Sequence, residues 1–184
     1  MTDVETASGR KRCNLRADFV ADSKGATAVE FALVAVPFLA LIVALIQTFL
    51  VFFAQELLET VVQQSSRLIL TGQVQSQQMT QSAFQQAVCN QVVILFNCNG
   101  LMVDVQVANT WSSANTSAPT LTFNAQGQVA NAWQFNPGTT GDIVVVRVMY
   151  QWPVFLGPLG FNLSNLSNGN RLIMASAAFQ NEPS

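Results

Sequence analysis

FALVAVPFLALIVALIQTFLVFFA, residues 31 to 54, contains no charged side chain, and Gln47 and Thr48 are its only clearly polar groups. At a rise of about 1.5 Å per residue, a helix of this length crosses a hydrocarbon core of roughly 30 Å with some tilt. Leu, Val, Ile and Phe occupy every rotational position, whereas the surface helix of a soluble protein keeps one face wet. A cleaved secretory signal would have a shorter apolar region closed by a small-x-small site, and Leu50 to Gln55 offers none. The expected element is therefore one transmembrane helix beginning near Phe31.

Toward the N-terminus the composition flips to polar and charged. Arg10, Lys11, Arg12, Arg16 and Lys24 precede the span, and the next basic residue is Arg67. This asymmetry places the N-terminus in the cytoplasm and the remainder across the membrane. Beyond the span the basic residues are Arg67, Arg147 and Arg171, too few and too scattered for a nucleic-acid footprint. With 184 residues there is room for an anchor and one modest domain. The expected organisation is a cytoplasmic leader or tail over 1–25, a transmembrane helix with an exported amphipathic extension over 26–72, and an exported α+β domain over 73–184.

Cysteine placement agrees with that topology. Cys13 falls in the cytosolic tail, while Cys89 and Cys98 fall on the exported side, where a disulfide is expected. The alternative for this pair is two small buried hydrophobes. Metal binding is not expected, because the chain has no histidine and no third exported cysteine.

Past Gln55 the pattern turns amphipathic. Leu57, Leu58, Val61, Val62, Ser65, Leu68 and Ile69 recur at three- and four-residue steps, and Thr71-Gly72 reads as the stop. One helix of about 45 residues results, greasy all round in its first half and two-faced in its second. Residues 73 to 82 read as a linker. Phe84, Ala87, Val88 and Gln91 suggest a short helix carrying Cys89, and Asn97 to Gly100 a turn. The abundance of Gln between 73 and 91 reads as compositional.

Strict alternation marks Leu101 to Val107 as a half-buried strand, with Asp104 and Gln106 on its polar face. Asp142 to Trp152 is the strongest strand, with Val144, Val146, Val148, Tyr150 and Trp152 on one face; Pro153 ends it. Residues 109 to 141 are expected to be loops pinned to the core by aromatics such as Trp111 and Phe135, with at most one short strand. PVFLGPLG, residues 153 to 160, would dock on the membrane surface, dock on a partner, or form a buried hairpin loop. Arg171 to Phe179 supplies the last strand. The fold class is α+β: the amphipathic half of a long N-terminal helix as a spine packed on a small antiparallel sheet of three or four strands, whose poorly protected edges invite a partner.

One short string carries functional information: Lys24-Gly25-Ala26-Thr27-Ala28-Val29-Glu30-Phe31, at the head of the span. A lone carboxylate there can simply mark the lipid interface. The spacing resembles the type IV prepilin cleavage motif, in which a peptidase cuts after glycine and glutamate becomes the fifth residue of the mature chain. The resemblance extends to the TadE-like family, minor pseudopilins of the tight-adherence (Flp pilus) system. It rests on DSKGATAVEFALVAVPFLALIV (22–43), VFFAQELLETVVQQSSRLILTGQ (51–73), VVVRVMYQWPVFLGPLG (144–160), NRLIMASAAFQNEP (170–183) and the pair Cys89 and Cys98. Family members often carry two basic residues before the glycine, where this chain has Ser23-Lys24.

The resemblance implies a pilin-like fold in the bacterial inner membrane, single-pass, with the C-terminus periplasmic. It also implies a processing site of Gly25, Ala26, Glu30 and Phe31, with Gly25-Ala26 the scissile bond and Glu30 serving recognition or subunit alignment. The partners would be a prepilin peptidase, related pseudopilins and other Tad/Flp pilus proteins, and membrane lipid, with no nucleic acid and no cofactor. The rival reading is an uncleaved single-span envelope scaffold. An enzyme is not expected: Asp104 and Asp142 read as solvated acids, and Ser65-Ser66-Arg67 has no accompanying base.

Overall fold

The computed structural model describes residues 23–92, 95–155, 157 and 160–183. Arg10, Lys11, Arg12, Cys13 and Arg16 lie outside the described residues, as do Leu156, Pro158 and Leu159 of the 153–160 loop. The chain falls into two units divided between Ile42 and Val43.

Helix α1 (Ser23–Leu70) is a single 48-residue helix, and its helical assignment runs unbroken through Pro37. From Thr27 onward it is long and apolar enough to cross a membrane, alone in this among the described residues. In the first unit its apolar side chains are bare: Phe31 is 74% and Leu33 71% exposed. In lipid such a surface is solvated, whereas in water it would not be tolerated on a stable monomer.

In the second unit α1 shows one buried stripe, Val51, Ala54, Leu58, Val61, Val62, Ser65 and Ile69. These steps of three and four are the amphipathic period read in the sequence. A left-handed Gly72 (φ 72°) closes the helix, with the Gly72 N–H on the Ile69 carbonyl and the Thr71 N–H on that of Arg67, both at 3.0 Å. The C-terminal tail returns here, with Glu182 N–H donating to the Leu70 carbonyl.

The expected linker at 73–82 is in fact structured. A single turn, α2 (Gln73–Ser76), buries Val74, and Met79 also packs against the core. Polar neighbours hide both anchors in the sequence. Helix α3 (Gln81–Val92) follows and buries Phe84, Val88, Cys89 and Val92.

The sheet is a three-stranded antiparallel meander in the order β1-β2-β3, with β1 Leu101–Ala108, β2 Ile143–Trp152 and β3 Arg171–Gln180. Its inner face carries Val103 and Val105, Val144, Val146 and Val148, and Ile173 and Ala175, packed in one core with Leu58, Val62 and Phe84. This is an α+β fold of pilin-like form, built on the alternation of β1 and β2.

Two expectations are corrected on the outer face and edge. Asp104 was expected to be solvated, yet it is buried beneath the 109–141 segment and paired with Arg147. The free edge of β1 is also closed. Gln81 Nε2 donates to Val103 O, and Gln85 Nε2 donates to Leu101 O at 2.7 Å. Residues 134–136 pair with both backbone groups of Val105. The glutamines that read as mere composition therefore cap strand carbonyls that would otherwise invite foreign strands. Within 109–141, Phe135 meets Phe84 at 5.5 Å between ring centroids and pins its loop, whereas Trp111 stays exposed and pins nothing.

Candidate functional site

Gly25 to Glu30 form the opening turns of α1. Gly25 is half-buried, and Glu30 is an exposed carboxylate flanked by exposed Val29 and Phe31. Ala26 and Glu30 are four residues apart on a helix, so they share one face a turn apart. The local cause is the sequence itself: small residues from Gly25 to Ala28 lead directly into the apolar run. A helix N-terminus carries partial positive charge, which suits an acid close to it. Chemically this is a single carboxylate on an apolar cylinder, able to align with a cation.

Cys89, fully buried on α3, faces Cys98 in the turn before β1, with Cα atoms 5.5 Å apart. That separation lies within the range a disulfide needs. The turn is set by Asn97, whose side chain accepts from Asn99 N–H at 3.0 Å.

Neither acid considered for catalysis stands in a reactive arrangement. Asp104 is held by Arg147, by the Gln134 N–H at 2.9 Å and by Gln106 Nε2. Asp142 accepts the backbone N–H and the hydroxyl of Thr139 at 2.7 and 2.9 Å. Those two hydrogen bonds, the backbone one foremost, hold its carboxyl below the usual aspartate range. Among the described residues no group of three His, Cys, Asp or Glu side chains gathers to hold a metal. Sequence reasoning missed Gln47, whose side-chain amide donates to the backbone carbonyl of Phe155. A glutamine inside an uncharged span was the available signal.

These features define a class: a protein with a long N-terminal helix apolar enough to span a membrane, whose far half is the spine of a pilin-like α+β domain. Residues 25–67 match the family model described as TadE-like protein, so the chain carries a TadE-like domain over most of α1. Neither the curated proteins nor the solved structures contain a match to this chain.

Proposed function

We propose that this chain is an inner-membrane pseudopilin-like component of Tad/Flp pilus assembly, with its N-terminal tail cytoplasmic and its sheet domain periplasmic. The observation that carries this reading is Glu30, exposed on an apolar helix five residues after Gly25, at the head of the TadE-like match. Cutting between Gly25 and Ala26 would free an α-amine that Glu30, one turn on, can compensate in the same chain or in a neighbouring subunit. Gly25 favours that cut, because glycine admits a close protease approach and weakens a helix by roughly 0.5–1 kcal/mol relative to alanine. A prepilin peptidase and related pseudopilins are the partners this chemistry requires. In the periplasm Cys89 and Cys98 would be oxidised to a disulfide.

One observation favours a second function, that of an uncleaved envelope scaffold. Helix α1 already begins at Ser23, so the Gly25-Ala26 bond lies within it. Intact mass of the protein from a strain possessing the peptidase separates the two. Loss of residues 1–25 is expected, and a mass that retains them overturns processing. Glu30→Ala should abolish fibre assembly while leaving the amount of membrane-inserted protein unchanged; normal assembly of that variant would instead favour the scaffold.

A further inference from the structure

The loop that follows β2 meets α1 at an informative depth. Gln47 lies inside the uncharged stretch from Phe31 to Ala54, and its amide donates to the carbonyl of Phe155. A side-chain amide in hydrocarbon costs several kcal/mol unless it has a partner, so this bond belongs where Gln47 belongs. A core of about 30 Å takes about 20 residues, Phe31 to Leu50, which puts Gln47 roughly 5 Å inside the boundary on the domain's side. Phe155 must then sit near the same level.

The chemistry of the loop fits that depth. Between Arg147 and Arg171 the sequence has no charged residue. Leu50, Val51, Trp152, Pro153, Val154 and Leu163 line a shallow apolar cleft between the helix and the loop. Phe155, which also lines the cleft, is 69% exposed, and Phe161 is 45% exposed. On α1 at this level Phe49 and Phe52 are exposed as well, at 64% and 62%. Phe155 thus adds to the lipid-facing apolar surface of the helix, and the Arg171 guanidinium meets the loop at the Leu163 carbonyl, 3.0 Å away, as a cation placed to reach the headgroup layer.

We propose that Phe155 and Phe161 form a second membrane contact, inserting at the boundary of headgroups and acyl chains in the leaflet beside the domain. Trp152, at the end of β2, stands where aromatic side chains favour the interface. An insertion of roughly 5–10 Å is usual for interfacial apolar groups. Anchored at α1 and at this loop, the sheet domain is held against the bilayer rather than swinging on one helix. The proposal rests on α1 crossing the membrane and is independent of pilus assembly.

The test uses the full chain with Cys13→Ser, reconstituted in phosphatidylethanolamine–phosphatidylglycerol vesicles. Single nitroxides are placed at Phe155→Cys, Phe161→Cys, Leu41→Cys in the span and Thr140→Cys on the domain surface. Saturation by oxygen and by a water-soluble nickel chelate is compared. The expected result is oxygen accessibility several-fold above nickel at Leu41, Phe155 and Phe161, and the reverse at Thr140. Nickel accessibility at both phenylalanine positions, with Leu41 still in lipid, overturns the loop contact alone. Loss of lipid exposure at Leu41 overturns the spanning helix with it. Shielding of Phe155 and Phe161 from both reagents that disappears on dilution into excess lipid assigns the patch to a second copy and also overturns the proposal. Both phenylalanines are exposed, so neither substitution removes a core contact.

Discussion

Arg147 Nη2 lies 2.5 Å from Asp104 Oδ2, and the two residues stand directly opposite in the β1-β2 register, buried on the face of the sheet away from α1. The guanidinium also reaches the Ser117 carbonyl, and Ser176 Oγ donates to Thr116 O, so the 109–141 segment is laid over this face. Removing one partner of such a pair leaves an uncompensated buried charge, which costs about 3–5 kcal/mol. Asp104→Leu alone should destabilise by that order. Adding Arg147→Met should recover much of the loss, because an apolar pair strands no charge. Guanidinium unfolding of the full chain in detergent, followed by tryptophan fluorescence, measures both. A double variant as unstable as the sum of the singles would show that the charges do not act as a unit.

The sequence makes Asp104 look wet for a definite reason. Alternation along Leu101 to Val107 reports which residues share a face, not what covers it. The cover here comes from Thr116, Ser117 and Gln134, in a segment without period or strong propensity. Gln81 and Gln85 were illegible on the same ground: a glutamine's partner, here an edge carbonyl of β1, leaves no mark beside it in the chain. Local features were readable. The stripe Leu58, Val61, Val62, Ser65 and Ile69 follows from helical period alone, and Val144, Val146 and Val148 from strand period. The cysteine pair is defined by a short spacing, so it too was visible. Val74 and Met79 were not, because two isolated apolar residues amid Gln and Ser give no periodic signal.

Cys89 and Cys98 are nine residues apart. A cross-link closing so short a loop contributes roughly 2–3 kcal/mol on the chain-entropy account. Cys98→Ser should lower stability by that order, and reduction of the unaltered chain should do the same. Mass-tagging of thiols under denaturing conditions provides the direct check. The full-length chain, with three cysteines, should take one tag at Cys13 before reduction and three after it. Tags on Cys89 and Cys98 in unreduced protein isolated from the envelope, whether or not residues 1–25 are still attached, would dismiss the bridge.

Gly138 and Asp142 form one tight corner ahead of β2. Gly138 has φ +67°, and a Cβ there would lie 3.0 Å from Asp142 Cβ and 3.1 Å from both Asp142 Oδ2 and Val107 Cγ2. Gly138→Ala therefore meets a left-handed backbone penalty of about 1–2 kcal/mol together with crowding of the carboxylate. Thermal unfolding should show the loss. The corner also has a pH signature. Because the Thr139 hydrogen bonds depress the folded-state pKa of Asp142, their stabilisation is fully present above the ordinary aspartate value of about 3.9. It is lost as pH falls through the lower folded value. Asp142→Asn removes this titration, so its deficit against the unaltered chain should be constant near neutrality and shrink in strong acid. Thermal midpoints of both proteins from pH 7 down to pH 2 decide it. A deficit that stays the same across that whole range would mean that the Thr139 bonds do not favour the ionised carboxylate.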